Sequence, residues 1–583
     1  MLDAAAADMS KTLHVAFANA EGGFDPQASS DTTTSGAIVA AIFDSLYTYD
    51  YFARPLRMLP NTAAGLPEVT DDGRTYTIRV RPGIYFASDR AFKGKKRELT
   101  AEDYVYSFKR MFDPKVRSYF VYLFENKLVG LDDVLARARA SSSFDYDARI
   151  DGLQALDRFT LRIRFKHPYY EFASWLATPP FAAVAREVVD AYKDRSNRVM
   201  ENPVGTGAYR LTRWTRGHHM LLEANPDYRE LAYPAPGPGS APGDSQIAQG
   251  MTGRKLPIVG NVDISIIEED QPRLLTFDAG KFDYVALPAS LAGRVLDASA
   301  LKPQYARRGI VLYRDIAPTI GFFFFNLDHP LVGGYTPEKI ALRRAISMGY
   351  DRDAAVRQLL NGQAIPANQP VPPPLYGHDP KYVARYGYDP SAARALLDRF
   401  GYRDRDGDGY RELPDGKPLT VVLGSKTDAA ARMSDELWKR NMDAIGIRIT
   451  FLKNKMSELI KMSEAGQLMM WGTNWNTSDF PDGIDSYSYS YFYSKNIGML
   501  NDARMRLPAF DALYEAARAL PDGAPRTAIF DQMNDMIFNY APWILTNYPY
   551  QNVLAQPWLK GYKQNALTLQ QWRYYDIEQP RHQ

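Results

Sequence analysis

The sequence predicts an α/β protein of three or four domain-sized units, and three observations carry that prediction. KPLTVVLGS (417–425) and IRITFLK (447–453) read as strands with a helix between them, the pattern of a βαβ unit. Further alternating runs recur in the first half, in KTLHVAFA (11–18) and FTLRIRFKHP (159–168). Finally, a 583-residue chain that is 45% hydrophobic and 24% charged has the apolar material for large folded cores.

Taken in order, KTLHVAFA leads through the turn FDPQ (24–27) to SGAIVAAIFDSLYTYD (35–50), which has apolar residues at helical spacing. Asp72-Gly73, between the alternating halves of VTDDGRTYTIRVRPGIYF (69–86), predicts a hairpin. LTAEDYVYSFKRMFD (99–113) opens with Thr-x-x-Asp, a variant capping box, and continues as an amphipathic helix. NPVGTGAYRLTRWTRGHHMLLEANPDY (202–228) predicts a glycine-rich turn and two strands, and APGPGSAPGD (235–244) a flexible surface loop. IVGNVDISII and FDYVAL resume strand character, followed by the strand GFFFFNL (321–327). A single helix is expected over 339–362, then a proline-rich passage (365–377) and a helix over 391–402 introduced by Asp389-Pro390.

Several function classes are disfavoured by what the chain contains. With 70 Lys and Arg against 68 Asp and Glu, there is no basic excess of the kind a nucleic-acid binder concentrates. No apolar run approaches the length of a membrane span, so the chain is not expected to be membrane-embedded. The cysteine count of 0 excludes disulfides, thiolate metal sites and cysteine nucleophiles. The glycines at 202–228 lack the Gly-Lys-Ser/Thr ending of a phosphate loop, and neither His-Glu-x-x-His nor Gly-x-Ser-x-Gly occurs. An enzyme is therefore not expected.

DRDGDGYRELPD (404–415) has the spacing of a calcium loop, with Asp404, Asp406 and Asp408 at positions 1, 3 and 5. Gly409 permits the turn, Tyr410 offers its carbonyl, and Asp415 falls at position 12. The segment that follows is a strand rather than a second helix, so a sensor that opens a helix pair is excluded. Two readings stay open here: a structural calcium site and a metal-free Asp/Gly turn.

Several stretches together resemble one family, the extracytoplasmic solute-binding proteins of ABC importers that carry dipeptides, oligopeptides and nickel. They are IFDSLYTYD, DDGRTYTIRVRPGIYF with LTAEDYVYSFKRMFDP, NPVGTGAYRL, LRRAISMGYDRDAAV with LNGQAIPA, and YDPSAARALLDRFGYRDRDGDGYRELPDGKPL. The resemblance implies a two-lobe periplasmic-binding-protein fold of the cluster C type, with an extra domain inserted in the first lobe. Lobe 1 would hold 11–50, 196–300 and 546–583, the extra α+β domain 51–195, and lobe 2 301–545. It also implies a monomer in the Gram-negative periplasm, its signal peptide missing from this sequence, that delivers a peptide or peptide-like solute to importer permease subunits. The alternatives are a sensory or regulatory ligand-binding module, or a binder of a non-peptide amphiphile or metal complex.

Members of this family clamp an extended ligand by strand addition and pair its α-amino group with an aspartate in a Trp-x-x-Asp-x-x-Asp-like stretch. The matching segment here is MMWGTNWNTSDFPDGIDSY (469–487), which departs by one residue. The resemblance assigns Asp479 to the ligand's ammonium, with Asp482 secondary, Asn474 and Asn476 as neutral partners, and Trp475 and Trp471 as apolar walls. In the alternative register Asn474 replaces the acid, which puts peptide specificity in question. Ser30, Asp31, Thr32 and Thr33 would form the facing strand. DSYSYSYFYS (485–494) adds aromatic character or a strand face.

Overall fold

The opening strand, Asp8–Phe17, runs parallel to Val259–Ile266, which pairs antiparallel with His219–Ala224 and through it with Tyr209–Thr215. Its inward residues Leu13 and Val15 are buried, as period-2 alternation requires. The computed structural model describes residues 7–28, 34–54, 56–373, 375–476, 488–565 and 570–578, with 473–476 described by their backbone only. The chain forms two compact units: the first holds 1–291, 295–314 and 552–583, the second 315–551 with Ala292–Arg294. The polypeptide passes from one to the other at Arg314–Asp315 and again at Gln551–Asn552.

Within the first unit a second, all-antiparallel sheet runs Glu68–Thr70, Thr75–Arg79, Thr160–Arg164, Leu153–Asp157. Its hairpin turn is the expected one: Asp71, Asp72 and Gly73 all have positive φ, 53°, 52° and 81°. The helix Ala101–Phe112 covers this region, and its first turn is closed by Asp103, whose carboxylate accepts from the Thr100 N–H (2.8 Å) and hydroxyl (2.9 Å).

Gly205 and Gly207 have a packing reason. A Cβ on either would lie 2.2 or 2.5 Å from the backbone of Ile42, whose carbonyl accepts the Gly207 N–H. The helix beginning at Thr34 is shorter than its apolar spacing suggests: it ends at Ile42, and Tyr47–Tyr49 becomes a strand. The segment 235–244, expected to be flexible, is largely exposed but pinned at its middle and at its C-terminal end. Arg54 N–H donates to the Gly239 carbonyl, and buried Asp244 pairs with Lys563 at 2.6 Å.

In the second unit, Thr319–Phe325 lies between Met470–Asn476 and the Trp543–Asn547 part of a long strand, antiparallel to both. The expected βαβ unit is present: Thr420–Ser425 and Arg448–Lys453 are parallel, joined by the helix Ala429–Asp443. Trp438 on that helix is fully buried, stacked on Tyr350 (4.2 Å) and met edge-on by Phe323 (4.9 Å). Each such ring contributes about 1.5–3 kcal/mol by leaving water.

The single helix expected over 339–362 is two, Pro337–Gly349 and Arg352–Leu359. Asp351 accounts for the break, because its side chain accepts the Ala354 N–H at 2.7 Å and restarts the helix as an N-cap. Asp389 caps Pro390–Arg399 in the same way. Ser490–Phe492 and Ser494–Asn496 form 3-10 turns rather than a strand, and the aromatic residues from Tyr489 to Tyr493 are core. Tyr489 stacks on Phe530, Phe492 lies 4.5 Å from Trp543, and Tyr493 lies 4.5 Å from Tyr514.

Candidate ligand-binding site

The strand Met470–Asn476 runs directly into the stretch expected to hold the ligand's amino group. Its register is set by pairing with Thr319–Phe325: Trp471 opposite Phe324, Asn474 opposite Gly321, Trp475 opposite Ile320 and Asn476 opposite Thr319. Gly321 also pairs with Asn547, so 474, 321 and 547 form one row across three strands. Asp479 and Asp482, and equally Ser30, Asp31, Thr32 and Thr33, lie outside the described residues. The Trp471 ring is buried, edge-on to Phe324 and against Gly424, where a Cβ would come within 3.1 Å. Gly472 is needed for the same crossing, since a Cβ there would fall 2.2 Å from the Phe323 ring.

The turn before residues 30–33 is held by a network that no sequence pattern signalled. Asp25 and Arg110 are both 0% exposed and joined at two points, Nη1 to Oδ1 at 3.0 Å and Nη2 to Oδ2 at 2.6 Å. Asp25 also accepts the N–H groups of Gln27 and Val199, and the Gln27 side chain donates to the carbonyls of Pro180 and Ala182. Burial alone would lower the Arg110 pKa; the adjacent Asp25 overrides it and raises it. On the far side, Thr34 Oγ1 donates to the Asn19 carbonyl at 2.7 Å. Both flanks of the expected ligand-facing segment are thus fixed to the first unit.

In the second unit the proline-rich passage is tied to the long strand beside the 474–321–547 row. Tyr548 Oη accepts the Gln369 N–H (3.1 Å) and donates to the Gln369 carbonyl (2.5 Å). Gln369 in turn makes two hydrogen bonds to the Asp379 backbone. Burial pushes the Tyr548 hydroxyl well above its ordinary pKa, so it stays a protonated donor.

The aspartate-rich loop brings together a different set of acids from the spacing pattern. Asp404, Asp406 and Glu412 present oxygens within 4.8 Å of one another. Asp404 accepts the N–H groups of Gly407 and Gly409, while Asp408 pairs with Arg448 and Asp415 with Lys417 at 2.7 Å. Tyr410 donates its hydroxyl to Asp443, away from the loop's centre. The acids expected at positions 5 and 12 thus have cationic partners, and Glu412 takes a place the spacing pattern did not give it. Exposed acids of this kind are common without a metal ion.

Residues 57–498 match the bacterial extracellular solute-binding proteins, family 5 Middle. The chain belongs to that family. Over 584 aligned residues this family 5 protein is 25% identical to Di/tripeptide-binding protein 2 of Pseudomonas aeruginosa, covering 96% of this chain and 93% of that one. It is 22% identical to Heme-binding protein A of Haemophilus influenzae, over 85% and 80% of the two chains. Among solved structures, DppA of Helicobacter pylori in complex with the peptide STSA superposes with a TM-score of 0.70 at 20% identity, covering 98% of each chain. HbpA2 of Haemophilus parasuis gives 0.74 at 17%, covering 98% and 100%. These likenesses show the periplasmic-binding-protein fold across the whole chain. Among the described residues, no helix is long and apolar enough to cross a membrane.

Proposed function

We propose that this protein is the periplasmic ligand-capturing component of an ABC importer, taking a small peptide or peptide-like solute and delivering it to the membrane permease. The observation that carries the reading is likeness along nearly the full chain to a relative named for di- and tripeptide binding. Two features support the reading, each within its own unit: the 474–321–547 row of strand backbone in the second, and in the first the Asp25 network that holds the flank of residues 30–33. The ligand's own N–H and C=O groups would extend these strands, and its side chains would set specificity. Asp479 would hold the ammonium, with Asn474 and Asn476 as neutral partners. Ligand shifts the protein toward a closed state by bending where the chain passes between units, at 314–315 and 551–552.

Native mass spectrometry of freshly purified protein tests this reading. The expected result is a retained adduct with the mass of a short peptide, displaced by added di- or tripeptide. An adduct with the mass of a tetrapyrrole or a metal chelate would overturn the peptide assignment in favour of a non-peptide solute, the reading that likeness to a heme-binding relative supports.

A further inference from the structure

Every residue of the helix Thr34–Ile42 is buried, and the segments before and after it are both bonded to one short stretch, 176–182. The bonds fall on alternate carbonyls of that stretch. Before the helix, Gln27 Nε2 donates to the carbonyls of Pro180 (3.1 Å) and Ala182 (3.0 Å). After it, Ser45 Oγ donates to the Thr178 carbonyl at 2.9 Å, and the Tyr47 N–H to the Leu176 carbonyl at 3.2 Å. Gln27 and Ser45 are both 0% exposed, so no solvent competes for these bonds.

The stretch is suited to this use. Pro179 and Pro180 have no N–H, so it cannot pair there as a strand, and its buried carbonyls need donors from elsewhere. Phe181 is fully buried and roots it among the rings of Phe108 (5.5 Å), Phe124 (6.0 Å) and Phe172 (6.1 Å), in the region expected to be the extra domain. Just beyond, the Val184 N–H donates to Ser107 Oγ (2.8 Å) on the helix Ala101–Phe112, whose Arg110 holds Asp25. We propose that 176–182 is a splint that fixes the places of Ala28 and Thr34, on either side of the segment expected to face solute, with Gln27 and Ser45 as its positioning residues. The region around Phe181 thereby sets solute affinity from a distance, by holding that segment ready rather than by ordering it on binding. This last consequence rests on the function proposed above.

Hydrogen exchange on the wild type, Gln27→Met and Ser45→Ala, with no solute added, tests the splint. Either variant should speed exchange about tenfold at Ala28 and from Ile38 to Phe43, while Thr75–Arg79 and Val259–Ile266 keep their wild-type rates. Unchanged rates from Ala28 to Phe43 overturn the proposal. So does an equal rise in the two control strands, which would mean a general loss of stability rather than a lost position. Ser45→Ala removes a single hydroxyl and decides the matter should Gln27→Met not fold. Titration with trialanine reads the consequence for solute: both variants should bind it about fivefold more weakly or worse. Unchanged affinity beside faster exchange overturns the link to solute. A wild type that takes up no trialanine counts against the proposed function and not against the splint, which the exchange rates decide.

Discussion

Asp25 and Arg110 form a fully buried, two-point ion pair that joins the turn before residues 30–33 to the helix Ala101–Phe112. Removing one partner leaves an uncompensated charge in the interior, at a cost of about 3–5 kcal/mol. Asp25→Ala and Arg110→Met should each shift the urea unfolding of the first unit by that much, and the double variant should lose clearly less than the sum. Strictly additive losses would show that the two groups do not act as a pair.

Tyr548 provides a test in the second unit. Tyr548→Phe leaves the N–H and carbonyl of buried Gln369 without their shared partner, at about 1–3 kcal/mol. Hydrogen exchange should accelerate at Gln369 and its immediate neighbours while the amides of Thr420–Ser425 are unaffected. Unchanged exchange at Gln369 would mean that the tie does not hold the proline-rich passage.

Asp502 should make the second unit's stability pH-dependent. Burial raises its carboxyl from 3.8 to about 6. An acid whose folded pKa is raised stabilises the fold when protonated, so this contribution is complete below about pH 4 and lost as pH rises through 6. Asp502→Asn should therefore match wild type at pH 4 and be more stable at pH 7.5, by about 1–2 kcal/mol after allowing for partial exposure. A stability difference that does not change between those pH values would contradict the assignment.

The ligand's amino end gives the sharpest mutational test. A desolvated ammonium whose carboxylate partner is removed loses about 2–5 kcal/mol. Asp479→Asn should weaken an amine-bearing peptide by about thirtyfold or more, with circular dichroism unchanged, and Asp482→Asn should matter less. Equal affinity for wild type and Asp479→Asn would point to a ligand held by aromatic and amide groups.

What could be read from the sequence was local. The Thr100–Asp103 closure, the Asp389-Pro390 helix start and the Asp72-Gly73 hairpin each depend on residues a few positions apart, the βαβ unit on the local period of consecutive segments, and all are present. The misses have two causes. Asp351 ended a helix because a side-chain cap competes with continued periodicity, a choice that apolar spacing does not register. Tyr489–Tyr493 alternated like a strand yet serve as core turns, because the rings of Phe530, Trp543 and Tyr514 on neighbouring elements pack against them. The Asp25–Arg110 pair spans 85 positions, and nothing in a single sequence links two such residues. Trp471 illustrates the same limit at the site, since burial depends on partners brought together only by the sheet.

The most direct test of solute capture is isothermal titration with a panel of di- and tripeptides and their N-acetylated counterparts. The structure and family predict that at least one free peptide binds with a Kd of about 10 μM or tighter, near −7 kcal/mol, and that acetylating its amino group removes most of that affinity. Failure of every peptide to bind more tightly than about 1 mM would contradict peptide capture. Equal binding of free and acetylated forms would contradict the carboxylate-held amino end.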